Sequence, residues 1–309
     1  MLVSVVIPVF GRQKSLEYAV ESVIGQTGLR KRDVETIIVD DASPVPIIAP
    51  SGLDNVRVVR LAKNAGAAGA RNAGIRASQG DFVAFLDSDD AWRPDKLWSQ
   101  WNFAEQLSKT CDLSKIAITC GFFAPNRLDR KLELRIPAAA TRLKDFLGGC
   151  WMCPGSTLFL HRSALERTGA FDERLRRLED YEWMLRFASQ GGQLCVSRYG
   201  GAIVAPSAGS KLAPVRNAIE LVRSILETSQ DIDLSPADRR TVESYMELEM
   251  TAALLSEGKR YVAARHLLKS ILLKPRFNAS VSDFWERSGT VPGDVQSAFQ
   301  RLQANADVP

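Results

Sequence analysis

Phe85-Leu86-Asp87-Ser88-Asp89-Asp90 closes an apolar strand, Phe82 to Leu86, with three carboxylates and no basic residue between them. Carboxylates packed this closely repel one another, so a cationic partner is expected beside them. Hard divalent ions such as Mg²⁺ or Mn²⁺ take oxygen ligands. Mg²⁺ in particular is held by one or two carboxylates together with the phosphates of a substrate. The strand therefore reads as a device that presents a metal to a phosphorylated ligand. A plainer reading stands beside it, in which the Asp-rich turn caps a helix beginning near Pro94 and Asp95.

Working outward, the chain alternates strand and helix. Val3 to Val9 is a β-branched run closed by Pro8 and Gly11, the pattern of a strand buried on both faces of a parallel sheet. Leu16, Ala19, Val20, Val23 and Ile24 follow at helical spacing, and the next apolar run, Thr36 to Val39, ends in Asp40-Asp41. A third strand (Val56 to Leu61), an Ala- and Gly-rich helix (about Ala68 to Ala77) and the strand before the carboxylates continue the alternation. The order predicts an α/β fold with a doubly wound sheet, in which ligands bind at the carboxyl ends of strands. Asp40-Asp41 and Asp87 to Asp90 both fall at that edge.

Beyond residue 95 the pattern loosens. A Trp-rich helix (Leu97, Trp98, Trp101), a strand at Ile116 to Phe123 and another at Ser156 to His161 make the sheet mixed. A helix over Asp180 to Gln190 stops at Gly191-Gly192. From about Lys211 onward only helices are expected. Gly258, Tyr261, Ala264, Leu268 and Pro275 weakly resemble a single tetratricopeptide-like hairpin, about 237–275. Lys259 to Arg276 carries six basic residues and no acidic ones, with Val262, Leu267, Leu268, Ile271 and Leu272 as its apolar part. Such a helix can pack on the rest of the protein with a solvated basic face, lie on an anionic membrane surface, or bind a protein partner.

Composition narrows the classes. An apolar fraction of 45% in 309 residues is ample for a buried core. A net charge of +4 is too small to make nucleic acid the main partner. No stretch approaches the ~20 apolar residues of a membrane span, and Met1 to Ser4 runs into a strand without a charged leader, so cytoplasmic residence is the expectation. Five cysteines, with only Cys150 and Cys153 at a metal-like spacing and no partner pair, read as reduced thiols.

Taken together, Ser4 to Phe10, Ile38-Val39-Asp40-Asp41-Ala42-Ser43, Asn64-Ala65-Gly66 through Ala70-Arg71-Asn72-Ala73-Gly74, Phe85 to Asp90, and Glu179-Asp180 resemble the family-2 glycosyltransferases of the GT-A fold, over roughly residues 1–205. The resemblance implies a catalytic domain over 1–210, with a mixed, doubly wound sheet of Rossmann-like character, and an all-helical extension over 211–309. It implies an inverting, metal-dependent enzyme of bacterial type that moves a sugar, with a UDP-sugar the expected donor, onto a hydroxyl of a glycan or lipid-linked saccharide in cell-surface polysaccharide synthesis. Residence would be cytoplasmic, or peripheral at the inner face of the plasma membrane. In this scheme Pro8, Phe10, Asp41, Arg71, Asp87 and Ser88 border the nucleotide-sugar, and Asp89 binds the metal. Asp180 is the general base, and Trp151, Glu179 and Trp183 border the acceptor.

The residues alone leave other roles open. Asp41 can accept from the imide N–H of a nucleobase or build a turn with Ser43, a task that suits Asp40 better. Arg71 can bond ribose, base or phosphate, or pair with an acid on a helix surface. Glu179 and Asp180 also suit a helix N-terminus, and both tryptophans suit a core. Many relatives carry a His after the strand that follows the base helix, where this chain reads Val204-Ala205-Pro206-Ser207. His161 does not match that position, and Ser207, Ser210 or Lys211 would meet phosphate there instead. The glycines Gly66, Gly69 and Gly74 follow the third strand and lack dinucleotide-binding spacing. Phe10-Gly11-Arg12-Gln13 has one glycine where a pyrophosphorylase needs a Gly-rich loop. A catalytically silent nucleotide-sugar-binding or scaffold protein on the same fold is the remaining alternative.

Overall fold

The computed structural model describes residues 2–126, 130–206, 209, 211–229, 232–275 and 284–305. Its centre is the strand β1 (Val3–Val9), which pairs in parallel with β2 (Val34–Asp40) on one side and β4 (Phe82–Phe85) on the other. The next strand out is β3 (Val56–Arg60), parallel to β2. Val and Ile dominate β1 and β2 because both faces are covered, and nearly every residue of the two strands is buried. Helix α1 (Gln13–Ile24) buries Leu16, Ala19, Val20 and Val23, one stripe at helical spacing. Helix α2 (Gly66–Ala77) lies close on the sheet because residue 74 has no side chain. A Cβ there would stand 2.2 Å from a Val6 methyl.

The sheet turns mixed after β4, as the sequence implies. A two-residue strand β5 (Ala91–Trp92) and helix α3 (Lys96–Leu107) lead to β6 (Ile116–Pro125) and β7 (Leu132–Pro137). Short helices α4 (Leu143–Phe146) and α5 (Pro154–Thr157) precede β8 (Phe159–His161), which is antiparallel to both β4 and β6. Helices α6 (Arg162–Thr168) and α7 (Glu179–Ser189) follow, and β9 (Gln193–Ile203) runs parallel to β6 and pairs with β5.

Two boundaries differ from the expectation. Ser156 and Thr157 are helical, not the start of a strand, because Cys153 adopts a left-handed conformation (φ 54°) and Pro154 opens a helical turn. The region after Lys211 is helical, comprising α8 (Leu212–Thr228), α9 (Pro236–Ser256), α10 (Arg260–Leu273) and α11 (Gly293–Asn305), but it also returns one strand, β10 (Trp285–Ser288), to the sheet beside β7. The α9–α10 hairpin turns at Gly258, whose φ of +74° suits glycine. This region is not a separate body. Val215, Ile219, Val222, Met246 and Leu254 share one apolar cluster with Trp183, Phe187 and Val6. Among the described residues no helix is long and apolar enough to cross a membrane.

Candidate active site

The registers Val9–Asp40 and Val6–Phe85 bring the carboxyl ends of β1, β2 and β4 side by side. The chain leaves β4 into a tight turn in which Asp90 N donates to Asp87 O at 3.0 Å. Asp90 points inward. It is buried and accepts from Ser156 Oγ at 2.5 Å and Ala205 N at 2.8 Å. Burial first, then the neighbouring Asp89 and Asp87, push its carboxyl well above the usual range. Ser156 also accepts from Asp87 N at 3.2 Å, so α5 braces the whole turn. Gly155 is the point of closest approach, since a Cβ there would lie 2.1 Å from Asp87 Oδ2.

Asp89 points outward, 40% exposed, and accepts from Arg12 Nη1 at 2.5 Å. Partial enclosure and then Asp87 raise its carboxyl, with Arg12 opposing them. The donor set is all oxygen, which fits a hard cation. Among the described residues no cluster of three or more His, Cys, Asp or Glu forms a metal cage. A cation at Asp89 would therefore complete its shell with oxygens of a bound ligand and water.

Arg71 joins this turn to the distant helix α7. It is 4% exposed, with Nη2 donating to Asp87 Oδ1 at 3.0 Å, and Nη1 donating to Glu179 Oε1 at 2.9 Å and Asp180 Oδ1 at 3.0 Å. Expected at the nucleotide, or on a helix surface with one acid, Arg71 is instead buried and committed to three. Burial works against its charge, but Asp180, Asp87 and Glu179 more than compensate and hold the guanidinium ionised. One cation for three anions leaves a surplus of negative charge. Asp180 carries the consequence: burial first, then Glu179 and Asp87 against the pull of Arg71, raises its carboxyl to about 7. Both acids also gain from the N-terminal end of α7, which Leu178 opens at φ 63°.

On the other side, Asp40 takes the turn. Its carboxylate accepts from Ser43 N at 2.9 Å and Ile47 N at 3.2 Å, and Arg60 pairs with it. Asp41 caps the entrance to α2, accepting from Ala65 N at 2.6 Å and Gly66 N at 2.9 Å. Arg176 lies close by, its Nη1 donating to Asn64 Oδ1 at 2.9 Å. At the end of β1, Pro8 is partly buried and Phe10 is 49% exposed, and Ser88 is buried in the carboxylate turn.

Three expectations fail on burial. Trp183 is wholly enclosed, donates to Gly169 O at 2.8 Å and stacks on Phe171 and Phe187, so it is core and offers no ring face to a sugar. Trp151 is 4% exposed, donates to Ala138 O at 3.0 Å and stacks on Phe284. Glu179 is 9% exposed and bound to Arg71. His161 pairs with Phe82, at the far end of β4 from the carboxylates, and caps α6. Lys211 stands exposed at the start of α8, and Ser207 and Ser210 lie outside the described residues.

The sequence reading missed Arg12, Ser156 and Asn72. Asn72 clamps α2 to Phe171, donating to its O and accepting from its N, both at 2.9 Å. Arg12 had a signal, a lone basic residue in the β1–α1 loop facing an acidic turn; the other two had none.

The profile described as "Glycosyl transferase family 2" matches residues 4–169. The succinoglycan biosynthesis protein ExoO of Rhizobium meliloti is 30% identical over 215 residues, 65% of this chain and 60% of that protein. The amylovoran biosynthesis glycosyltransferase AmsB of Erwinia amylovora is 29% identical over 193 residues, 59% of this chain and 62% of its own. The chain thus spans about 60% of the length of these two relatives. Among solved structures, residues 1–349 of S. aureus TarS in complex with UDP-GlcNAc superpose with a TM-score of 0.59 at 17% identity, covering 99% of this chain and 84% of that one. At that identity the likeness is one of fold, and it is the GT-A fold the sequence implied.

Proposed function

The chain belongs to glycosyl transferase family 2, and from that premise we propose that it is an inverting, metal-dependent glycosyltransferase acting from a nucleotide-diphosphate sugar on a hydroxyl of a glycan or lipid-linked saccharide. The single observation that carries this reading is the Arg71 bridge. It holds Asp87, in the acidic turn, and Asp180, on α7, on the two terminal nitrogens of one guanidinium although they stand 93 positions apart in sequence.

Asp180 is the general base. A carboxyl raised to about 7 is half ionised near neutral pH and strong enough to take the proton of an attacking hydroxyl. With the diphosphate on the opposite side of the sugar, attack from the Asp180 side inverts the anomeric carbon. Arg71 orients both carboxylates, and Asp90, tied to Ser156 and Ala205, fixes the turn that presents Asp89. Asp89 would hold Mg²⁺ or Mn²⁺, which when bound neutralises charge developing on the departing diphosphate. Arg12, already on Asp89, is placed to pair with a phosphate oxygen. Asp41, at the end of β2 beside Asn64 to Gly66, is the acceptor for a nucleobase N–H, using lone pairs its two backbone donors leave over. A UDP-sugar is favoured by TarS, which was solved with UDP and with UDP-GlcNAc. Cell-surface polysaccharide synthesis is favoured by ExoO and AmsB.

Thermal shift with Mn²⁺ and a panel of nucleotide diphosphates and their sugars tests this. A donor at a hundredfold its Kd stabilises by about 2.7 kcal/mol, a rise of several degrees in Tm. The rise should need Mn²⁺ and disappear in Asp89→Asn. A panel in which nothing moves the melting point overturns the proposal, and binding without sugar transfer or donor hydrolysis would point to the silent scaffold instead.

A further inference from the structure

Helix α10 is packed inside out. Against α9 it buries Ala263 and Ser270, small residues, with Ser270 Oγ donating to Ser244 O at 2.8 Å. Its large apolar side chains face away: Tyr261 is 92% exposed, Leu272 73% and Leu268 58%, with Val262, Leu267 and Ile271 above 40%. Tyr261, Leu268 and Leu272 recur at spacings of seven and four, which aligns them on one side of a helix, opposite the buried pair. A helix that served only to close the core would carry its leucines on the α9 side. Single exposed leucines need no explanation, but an ordered stripe of them on one helix does.

What covers the stripe is set by charge. Lys259, Arg260, Arg265, Lys269 and Lys274 flank it, and α10 has no acidic residue. Glu257, just before it, is already bound to Lys259 Nζ at 2.7 Å, and Glu247 of α9 is 4% exposed beneath Lys269. With those two lysines paired, Arg260 and Arg265 keep the outward rim basic. A second copy would bring like charge against like, whereas an anionic lipid surface complements both the apolar stripe and the basic rim.

We propose that α10 is an interfacial helix that docks the protein on an anionic membrane, Tyr261, Leu268 and Leu272 entering the boundary between headgroups and acyl chains and Arg260 and Arg265 meeting lipid phosphates. The placement has a consequence for reach. α9, on which α10 lies, packs Tyr245 against Tyr181 of α7 with ring centroids 4.8 Å apart, so the docking helix lies beyond α9 from the helix that carries Asp180. Docking therefore sets α10 and α9 between the membrane and α7.

The inference does not depend on the transfer reading, because vesicle binding is measured with no donor or acceptor present. The full chain is sedimented with vesicles of phosphatidylcholine alone and with 30 mol% phosphatidylglycerol. Binding is expected only to the anionic vesicles. It should fall about tenfold or more in Leu268→Ser/Leu272→Ser and about fivefold in Arg265→Gln, with Tm unchanged in both variants because the replaced side chains are exposed. A wild-type chain that stays in the supernatant with anionic vesicles overturns the proposal, as does undiminished binding of the double serine variant. Sedimentation velocity supplies the other decisive result. A dimer that is lost in the double serine variant, with vesicles ignored, would make a second copy the occupant and likewise overturn it.

Discussion

Two buried charge networks in this chain are built with opposite balance. Around Arg71, one guanidinium serves three carboxylates, Asp87, Glu179 and Asp180. Around Glu247, one buried carboxylate is met by Lys269 at 2.6 Å and His266 at 2.5 Å, while Arg223, 4.0 Å away, has its own carboxylate in Glu243 at 2.6 Å. In the first network burial, and then the charges of Glu179 and Asp87 against the pull of Arg71, raise Asp180; in the second, bonds from Lys269 and His266 outweigh burial and lower Glu247. A network satisfied within the protein holds helices together. One left short is completed by what arrives: a proton, a metal ion or a substrate.

The largest expected difference lies between activity and stability at the two sites. Asp180→Asn removes the proposed base and one surplus charge together, so transfer should fall by about 10²–10⁴-fold while Tm stays level or rises. A variant that loses activity only in proportion to a lost fold would mark Asp180 as structural and break the contrast. Initial rates and melting curves on the same preparation decide it.

Arg71→Met comes next. It leaves three carboxylates facing one another without their cation, a cost of about 3–5 kcal/mol for a broken buried pair. Denaturant unfolding at neutral pH should show it, and stability should recover in part as the pH is lowered and the carboxylates protonate. Indifference of the stability to pH would mean the three acids do not share the guanidinium.

Proton linkage separates the networks by sign. A carboxyl raised from 3.8 to about 7 on folding makes the native state the better proton binder in that interval. Asp180 therefore takes stability away as pH climbs from about 4 to about 7, at up to about 1.4 kcal/mol per pH unit. Glu247, held below its ordinary value, contributes stability above the unfolded carboxylate pKa and loses it as pH falls through its own. Tm against pH should lose its acid-side gain in Asp180→Asn and keep it in Glu247→Gln. In the free enzyme kcat/KM should rise through about pH 7 as Asp180 ionises.

Much of this was legible in the sequence, for reasons that differ between elements. The β-branched runs of β1 and β2 announced strands because both faces are buried, and the acidic turn after β4 called for a cationic partner, a place that Arg71 and Arg12 take. The meeting of Arg71 with Glu179 and Asp180 was not legible. It spans more than a hundred positions and depends on Asn72 clamping the loop before α7. Trp151 and Trp183 misled because an aromatic near a site reads equally as platform or core, and only packing separates the two. Strand β10 has no apolar alternation, since Glu286, Arg287 and Ser288 lie exposed at the sheet edge.

The smallest effect expected is at Glu247 itself. Glu247→Gln keeps the shape of the side chain but withdraws the charge that Lys269 and His266 share, and Lys269 is 60% exposed, so water takes over much of its solvation. The loss should be about 1.5 kcal/mol, the low end of the range for hydrogen bonds to charged groups, with sugar transfer unchanged because α9 meets α7 through Tyr245. The comparison sharpens if the double variant Glu247→Gln/Lys269→Met is as stable as the single one, which would show that Lys269 acts only through Glu247. It breaks if Glu247→Gln abolishes transfer, because a satisfied network would then be coupled to the unsatisfied one through the helix between them.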